Sequence, residues 1–203
     1  MRGRLNREPA ELLALARKGE PDALGILLET YRNYLAVLTR VQIGRRFSGK
    51  ADASDVIQET FLQAHRAFPQ FRGATEAELV VWLRRILVSR LSKLVRRYTT
   101  KQRDLRLEQQ LELELEKSSQ CLDRSLEVRQ SSPSQLAARR EMAVLLADAL
   151  EQLPEDYRDV MILHHLEGLS FPEVAIRVNR SIDSVKNVWA RALARLRRSL
   201  PES

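Results

Sequence analysis

Four residues near the carboxyl end of the chain carry side chains that suit contact with DNA. Lys186, Asn187, Ala190 and Arg191 recur at helical spacing, so one face of a helix would present all four. They are candidate readers of bases and phosphates. The alternative is that Lys186 and Arg191 are ordinary solvated charges, since most charged residues lie exposed.

Two short helices joined by a tight turn would position that face. Ser170 and Glu173 have the spacing of a capping box, and the helix-stopping Gly168 precedes them. Ser181 is a second candidate N-cap, after a turn at 179–180. Val185, Trp189, Ala192 and Leu196 should face the core of the second helix. This plan is that of a helix-turn-helix, whose second helix enters a DNA major groove.

Basic residues outnumber acidic ones and are concentrated in two stretches. The chain has 34 Lys and Arg against 27 Asp and Glu, a net charge of +7 and a pI near 10.0. The range 79–106 contains nine bases and one acid, and the range 177–198 contains seven bases and one acid. Two separate basic faces favour two contacts with one long polyanion such as nucleic acid.

The apolar pattern predicts an all-α chain of two small helical domains joined by an acidic linker. In the first domain, 1–99, we expect four helices: 10–18, one from Pro21 through Leu38, one from about 52–55, and one from about Thr75. The buried positions predicted for these helices are Leu24, Leu27, Leu28, Tyr31, Leu35 and Leu38, then Val56, Ile57, Thr60, Phe61 and Ala64, then Leu79, Trp82, Leu83, Ile86, Leu87, Leu91, Leu94 and Val95.

The remainder of the chain is assigned to the linker, 100–134, and a second domain, 135–203. Leu and Glu alternate in 108–116, and because both are good helix formers we expect a short helix or a mobile tether rather than a strand. The second domain should contain four helices and end in the helix-turn-helix. Its first helix should bury Leu136, Met142, Leu145, Leu146, Ala149 and Leu150.

Several functional classes find no support in the sequence. Cys121 is the only cysteine, and no apolar run approaches the ~20 residues of a membrane span. We expect a cytoplasmic protein without cofactors or a metal; adjacent His164 and His165 point about 100° apart on a helix and cannot easily share an ion. No catalytic constellation stands out, so the protein is not predicted to be an enzyme.

The chain resembles a known family, the extracytoplasmic-function group of the sigma-70 family of bacterial RNA polymerase sigma factors. The resemblance covers nearly the whole chain and rests on motifs in a fixed order. They are the runs at 55–61 (DVIQETF), 71–73 (FRG), 82–86 (WLRRI), 153–155 (LPE) and 168–175 (GLSFPEVA).

The resemblance implies roles for two groups of residues in the first domain. Asp55, Gln58 and Glu59 would bind core RNA polymerase at the beta-prime clamp, with Phe61 supporting that surface. The alternative is that Asp55 is a helix cap and Glu59 a solvated charge. The promoter −10 element, with an unpaired base flipped from the duplex, would contact Arg72, Arg84, Arg85, Ser89, Arg90 and Lys93. Many relatives have Asn in place of Ser89.

The resemblance also implies how the rest of the chain works. The −35 element would contact Ser181, Ser184, Lys186, Asn187, Ala190 and Arg191. The second domain would meet the polymerase beta flap, and the linker would pass through the enzyme near its RNA exit path. The protein would act as a monomer within the holoenzyme, with promoter DNA as its ligand and an anti-sigma factor as a further partner.

Two other classes of DNA-binding protein compete with this interpretation. A free-standing helix-turn-helix regulator normally dimerises to read paired half-sites, but no heptad or apolar dimer stripe is apparent. A nucleoid protein would bind mainly by neutralising phosphates, with a steep salt dependence. Neither class requires the helix at 55–61.

Overall fold

Ten α-helices and no strand make up the secondary structure of residues 7–47, 52–99, 105–124 and 133–200, which the computed structural model describes. The chain divides into two compact units, Met1–Leu115 and Glu116–Ser203. Over the described residues, none of the helices is long and apolar enough to cross a membrane. The all-α prediction is confirmed.

The first unit is built around three helices that pack on one another. Its helices are α1 (Pro9–Arg17), α2 (Ala23–Thr30), α3 (Arg32–Phe47), α4 (Ala53–Ala67), α5 (Glu76–Thr99) and the beginning of α6 (Leu105–Arg124), with a 3-10 turn at Phe68–Gln70. α4 packs against both α3 and α5. The apolar stripes predicted for these helices are buried, except that Trp82 and Leu94 are only half-buried.

The helix predicted from Pro21 through Leu38 is wrong in one respect, because it is interrupted at Tyr31. The side chain of Tyr31 is 1% exposed, and its hydroxyl donates a hydrogen bond to Oε1 of Glu76 at 2.6 Å. The Thr30 hydroxyl donates to the carbonyl of Ile26 at 3.1 Å, a back-bond that bends helices. α2 therefore ends at Thr30, and α3 begins at Arg32.

The predicted linker, 100–134, contains the helix α6. Of the two alternatives for the Leu and Glu run, the helix is the one that the structure contains. The division between the two units falls inside α6, after Leu115. Residues 100–104 and 125–132 lie outside the described residues.

The second unit contains α7 (Pro133–Glu151), α8 (Glu155–Met161), α9 (Phe171–Arg177) and α10 (Ile182–Ser199). A π-helical turn at Ile162–Leu166 continues α8. α10 packs against α8 and α9 around Val160, Val174 and Val185.

The predicted apolar stripe of α7 is partly wrong. Leu145 is 37% exposed, whereas Ala143 and Ala147 are almost fully buried. Small alanines permit close packing, so the buried face is rotated from the one that the larger leucines indicated. The side chain of Leu136 lies outside the described residues.

Candidate nucleic-acid interface

The first helix of the predicted helix-turn-helix, α9, begins with a complete capping box. Gly168 has a φ of +76°, a left-handed conformation that favours glycine. The carboxylate of Glu173 then accepts hydrogen bonds from the backbone N–H of Ser170 at 2.8 Å and from its hydroxyl at 2.6 Å. These bonds, with that of the hydroxyl the larger influence, lower the pKa of Glu173. Ser170 is the N-cap, as predicted.

The turn between α9 and α10 is short and held by backbone bonds. Asn179 has a φ of 52°, the left-handed region in which asparagine is among the best-tolerated residues after glycine. The N–H of Arg180 donates to the carbonyl of Ala175 at 3.0 Å. The hydroxyl of Ser181 accepts from the N–H of Ser184 at 3.2 Å, which confirms Ser181 as the N-cap of α10.

The outer face of α10 presents the side chains that the sequence singled out. Lys186, Asn187, Ala190 and Arg191 are all exposed, as is Ser181, and Ser184 is half-buried. The opposite face buries Val185, Val188, Ala192 and Leu196. Val188 was missed by the predicted stripe, and Trp189 is half-buried at the edge of the core. One helix therefore offers an amide and two cations on a single solvent-facing surface.

An aromatic cluster behind this surface joins α10 to the π-helical turn and to the start of α9. Nε1–H of Trp189 donates to Nε2 of His165 at 2.9 Å. The ring of His164 stacks on Phe171 at 4.3 Å, and its Nδ1 lies 2.7 Å from the carbonyl oxygen of Leu169. Burial, and then the charge of His164, lower the pKa of His165.

Both histidines take part in this cluster, with His164 half-buried and His165 exposed at its edge. Their rings meet edge to face at 4.9 Å. In the part of the chain that the structure describes, no three His, Cys, Asp or Glu side chains are grouped so as to hold a metal ion. Sequence reasoning missed this cluster because its members come from three separate elements.

The second basic surface lies on α5 and the loop before it. Arg72, Arg85 and Lys93 are exposed, while Arg84, Ser89 and Arg90 are half-buried. Nε of Arg90 is buried without a hydrogen-bond partner among the described residues. Arg84 and Arg90 are therefore less accessible than the exposed cations Arg72, Arg85 and Lys93.

The loop that carries Arg72 is held from several sides. The ring of Phe71 lies 4.9 Å from that of Trp82. Glu78 closes a capping box, accepting from the N–H of Thr75 at 2.9 Å and from its hydroxyl at 2.8 Å. A third bond, from the N–H of Ala74 at 2.8 Å, is the largest influence lowering the pKa of Glu78. Arg72 thus projects from a fixed backbone.

A third predicted surface lies on α4. Asp52, rather than Asp55, caps this helix, because its carboxylate accepts from the N–H of Ser54 at 2.8 Å. Asp55, Gln58 and Glu59 are all exposed. The alternative in which Asp55 is the cap is therefore wrong.

Beneath the exposed polar residues of α4 lies a buried phenylalanine, and one leucine is exposed beside them. Phe61 is buried, with the guanidinium of Arg32 5.0 Å from its ring centroid. Leu62 is 53% exposed and lies seven residues after Asp55, on the same helical face. Sequence reasoning missed Leu62, although its spacing from Asp55 and Glu59 could have indicated it.

Comparison with known proteins finds two family models that match in order along the chain. A model of sigma-70 region 2 matches residues 30–101, and one of sigma-70 region 4 matches residues 135–196. The first match contains α4, α5 and the loop of Arg72. The second contains the helix-turn-helix.

Individual relatives match most of the chain. The ECF RNA polymerase sigma-E factor of Escherichia coli (strain K12) is 29% identical over 185 residues, covering 89% of this chain and 88% of that protein. The protein of the same name from Haemophilus influenzae is 27% identical over 182 residues, covering 89% of each. The structure of CnrH in complex with the cytosolic domain of CnrY covers 93% of this chain and 94% of that chain, with 24% identity and a TM-score of 0.33.

Proposed function

This chain belongs to the sigma-70 family, in its extracytoplasmic-function group, and we propose that three of its surfaces bind core RNA polymerase, the −10 element and the −35 element. It is a sigma factor that directs transcription initiation at specific promoters. Sigma factors are regulatory and non-catalytic, so we infer that the chemistry belongs to the polymerase.

The observation that carries the proposal is the exposed face of α10. Its six candidate −35 contacts are Ser181, Ser184, Lys186, Asn187, Ala190 and Arg191. The two cations would fix the helix on phosphates, and Asn187 would hydrogen-bond a base edge in the major groove. Because α10 begins at Ile182, the positive end of its dipole lies beside Ser181 and adds to the attraction for phosphate.

The −10 element would be bound by α5 and the preceding loop. A melted strand needs cationic phosphate contacts and a place for an unstacked base. Arg84, Arg85, Arg90 and Lys93 would supply the first, and Arg72 and Ser89 would border the second. The hydrogen bonds that hold the loop favour this role, because a preorganised pocket costs less to fill.

Core polymerase would be bound by the exposed face of α4. Asp55, Gln58 and Glu59 would meet the beta-prime clamp, and we add Leu62 as an apolar contact among these polar ones. Phe61 would hold the helix in place from beneath. The second unit would meet the beta flap, and α6 would leave its position to run near the RNA exit path.

The remaining inferences concern partners and setting. We infer action as a monomer within the holoenzyme, promoter DNA as ligand, no cofactor and a cytoplasmic setting. We also propose an anti-sigma factor as a further partner, as the resemblance to the extracytoplasmic-function group implies.

The test is transcription by purified core RNA polymerase on sheared genomic DNA of the source organism, with and without the protein, followed by mapping of transcript starts. We expect new starts that share two spaced upstream motifs. Asp55→Arg and Glu59→Arg should abolish them. Glu11→Arg, an equal change of charge at an exposed acid on α1, should leave them intact.

Two other outcomes would change the assignment. Specific DNA binding without new starts would favour the free-standing regulator. Binding that depends only on salt and not on DNA sequence would favour a nucleoid protein. If the Asp55→Arg and Glu11→Arg variants are equally active in transcription, α4 does not contact the polymerase.

A further inference from the structure

The amino-terminal half of α6 lies against α5, and acids of α6 meet bases of α5. The carboxylate of Glu108 contacts the guanidinium of Arg96. Oε1 of Glu112 lies 4.0 Å from Nε of Arg85. Both pairs are internal to the first unit, because α6 belongs to it as far as Leu115.

These contacts identify the face of each helix that meets the other. On α5, Ser89 and Ser92 lie four and seven residues after Arg85, and Arg96 lies four residues after Ser92, so all four share one face. On α6, Leu111 and Leu115 share a face with Glu108 and Glu112, and both leucines are almost fully buried. Ser92 is also fully buried. Ser92, Leu111 and Leu115 are therefore shielded from water, whereas Arg85 and Glu112 remain largely exposed.

The covered face of α5 contains two of the residues to which we assign the −10 contact. We propose that α6 is an intramolecular cover, whose carboxylates occupy Arg85 and Arg96 in the free protein and compete with a DNA strand for the same face. This inference rests on the proposed function of α5. In chemical terms, the acids of α6 take the place of phosphates.

The cover is held weakly enough to be displaced. Ion pairs with this degree of exposure contribute little, and the Arg85–Glu112 pair is more than half exposed on both side chains. The hydroxyl of Ser92 and Nε of Arg96 are buried without a hydrogen-bond partner among the described residues. Unpaired buried polar atoms oppose the closed arrangement. Polymerase binding, which would draw α6 away, would therefore also expose α5 to DNA.

The first experiment measures binding of the full-length free protein to a short fluorescent single-stranded oligonucleotide of mixed sequence. Glu108→Gln with Glu112→Gln should tighten binding by about twofold to tenfold relative to the wild type. The matched control is Glu114→Gln with Glu116→Gln, which makes the same change of net charge. Glu114 lies on the opposite side of α6 from the face that Glu108 and Glu112 share, and Glu116 lies beyond the part of α6 that belongs to the first unit, so their replacement should have a smaller effect.

A charge swap separates the cover from general electrostatics. Arg96→Glu alone and Glu108→Arg alone should each open the cover. The combined variant keeps the net charge of the wild type and restores one pair, so its affinity for the oligonucleotide should be closer to the wild-type value than that of either single variant. Hydrogen exchange of the unmodified protein provides a test that needs no variant. Amides of 105–115 should exchange faster when the oligonucleotide is added, because α6 must leave α5.

Several results would overturn the inference. Equal tightening by the two double variants would mean that only net charge matters. Failure of the Glu108 and Glu112 variant to bind DNA at all, or unchanged exchange at 105–115 in the DNA complex, would also contradict the cover. If that variant does not fold, the exchange result decides. Transcription by wild-type protein with core polymerase is scored separately, so failure of the cover is distinguished from failure of the sigma-factor assignment.

Discussion

Replacement of Gly73 by alanine should disturb the loop that we assign to the −10 element. A Cβ at this position would lie 2.3 Å from Cζ and 2.7 Å from Cε2 of Phe71, and 2.8 Å from Cβ of Glu78. The Glu78 atom is on the first turn of α5 and cannot swing aside. The Phe71 ring cannot move freely either, since it lies between Phe68 at 5.9 Å and Trp82 at 4.9 Å.

The cost of Gly73→Ala follows from this overlap. Overpacking of this kind typically costs about 1–3 kcal/mol. For a unit of this size, 1 kcal/mol corresponds to about 4 °C in Tm, so we expect the first unit to lose about 4–12 °C. If about 1.4 kcal/mol of the strain is relieved by movement of the Arg72 loop away from DNA, promoter melting should weaken about tenfold.

Two assays on the same proteins test this reasoning. Calorimetry gives Tm, and permanganate reactivity of promoter thymines in the holoenzyme gives the extent of melting. The control is Gly25→Ala, within α2, where a Cβ meets nothing within 4 Å. Alanine is favoured over glycine in a helix, so this variant should gain about 0.5–1 kcal/mol. If the Gly73→Ala protein has the Tm of the wild type and melts the promoter to the same extent, the steric argument is refuted.

Three further substitutions or conditions address the second unit. Ser170→Ala removes the N-cap of α9 and should lower the free energy of unfolding by about 1 kcal/mol in urea titrations. Glu151→Ala leaves the guanidinium of Arg158, whose side chain is 12% exposed, without the carboxylate now 3.1 Å away, and should cost about 2–4 kcal/mol in the same assay. Because the folded state lowers the pKa of His165, the unfolded chain takes up this proton first as pH falls. The stabilising effect of neutral His165 is therefore present above pH ~6.5 and is lost as the pH falls below it, so Tm should decrease from pH ~7 toward pH ~5.5.

Each of these predictions has its own control. Ser199→Ala, near the end of α10, should change the free energy of unfolding by less than about 0.5 kcal/mol. An equally small change in Ser170→Ala would mean that the N-cap of α9 does not stabilise the second unit. Gln152→Ala, at an exposed neighbour of Glu151, should likewise have little effect; a similar small loss in Glu151→Ala would mean that the ion pair is not important. His165→Gln should flatten the pH dependence, and an unchanged slope would assign it to another group.

Local features were predictable because they depend on residues close in sequence. The capping box of Ser170 and Glu173 was evident from a spacing of three residues, and the box of Thr75 and Glu78 has the same spacing. The buried stripe of α4, and that of α5 apart from the half-buried Trp82 and Leu94, followed from helical periodicity alone. In the same way, the exposed face of α10 was predictable from the positions of its apolar residues.

Features that depend on distant residues were not predictable. The break at Tyr31 is associated with a hydrogen bond to Glu76, forty-five residues away. The buried face of α7 is set by what alanines at 143 and 147 can pack against, which periodicity does not reveal. Asp52 and Asp55 were equally good candidates for the cap of α4 by composition, and only the backbone geometry at Asp52 separated them.

The acidic helix α6 illustrates how one pattern can carry two physical meanings. Along the sequence, Leu and Glu alternate as in a strand, yet in a helix Glu108, Leu111, Glu112 and Leu115 fall on one face. A purely apolar face would bind α5 too firmly to be released, and a purely charged one would remain in water. A face that mixes buried leucines with partly exposed ion pairs satisfies both requirements, because it orders α6 on α5 and still allows a polyanion to replace it. The net acidity of the segment therefore matters less than the positions of its acids, which is why exchanging Glu108 and Arg96 should preserve the cover although each replacement alone should open it.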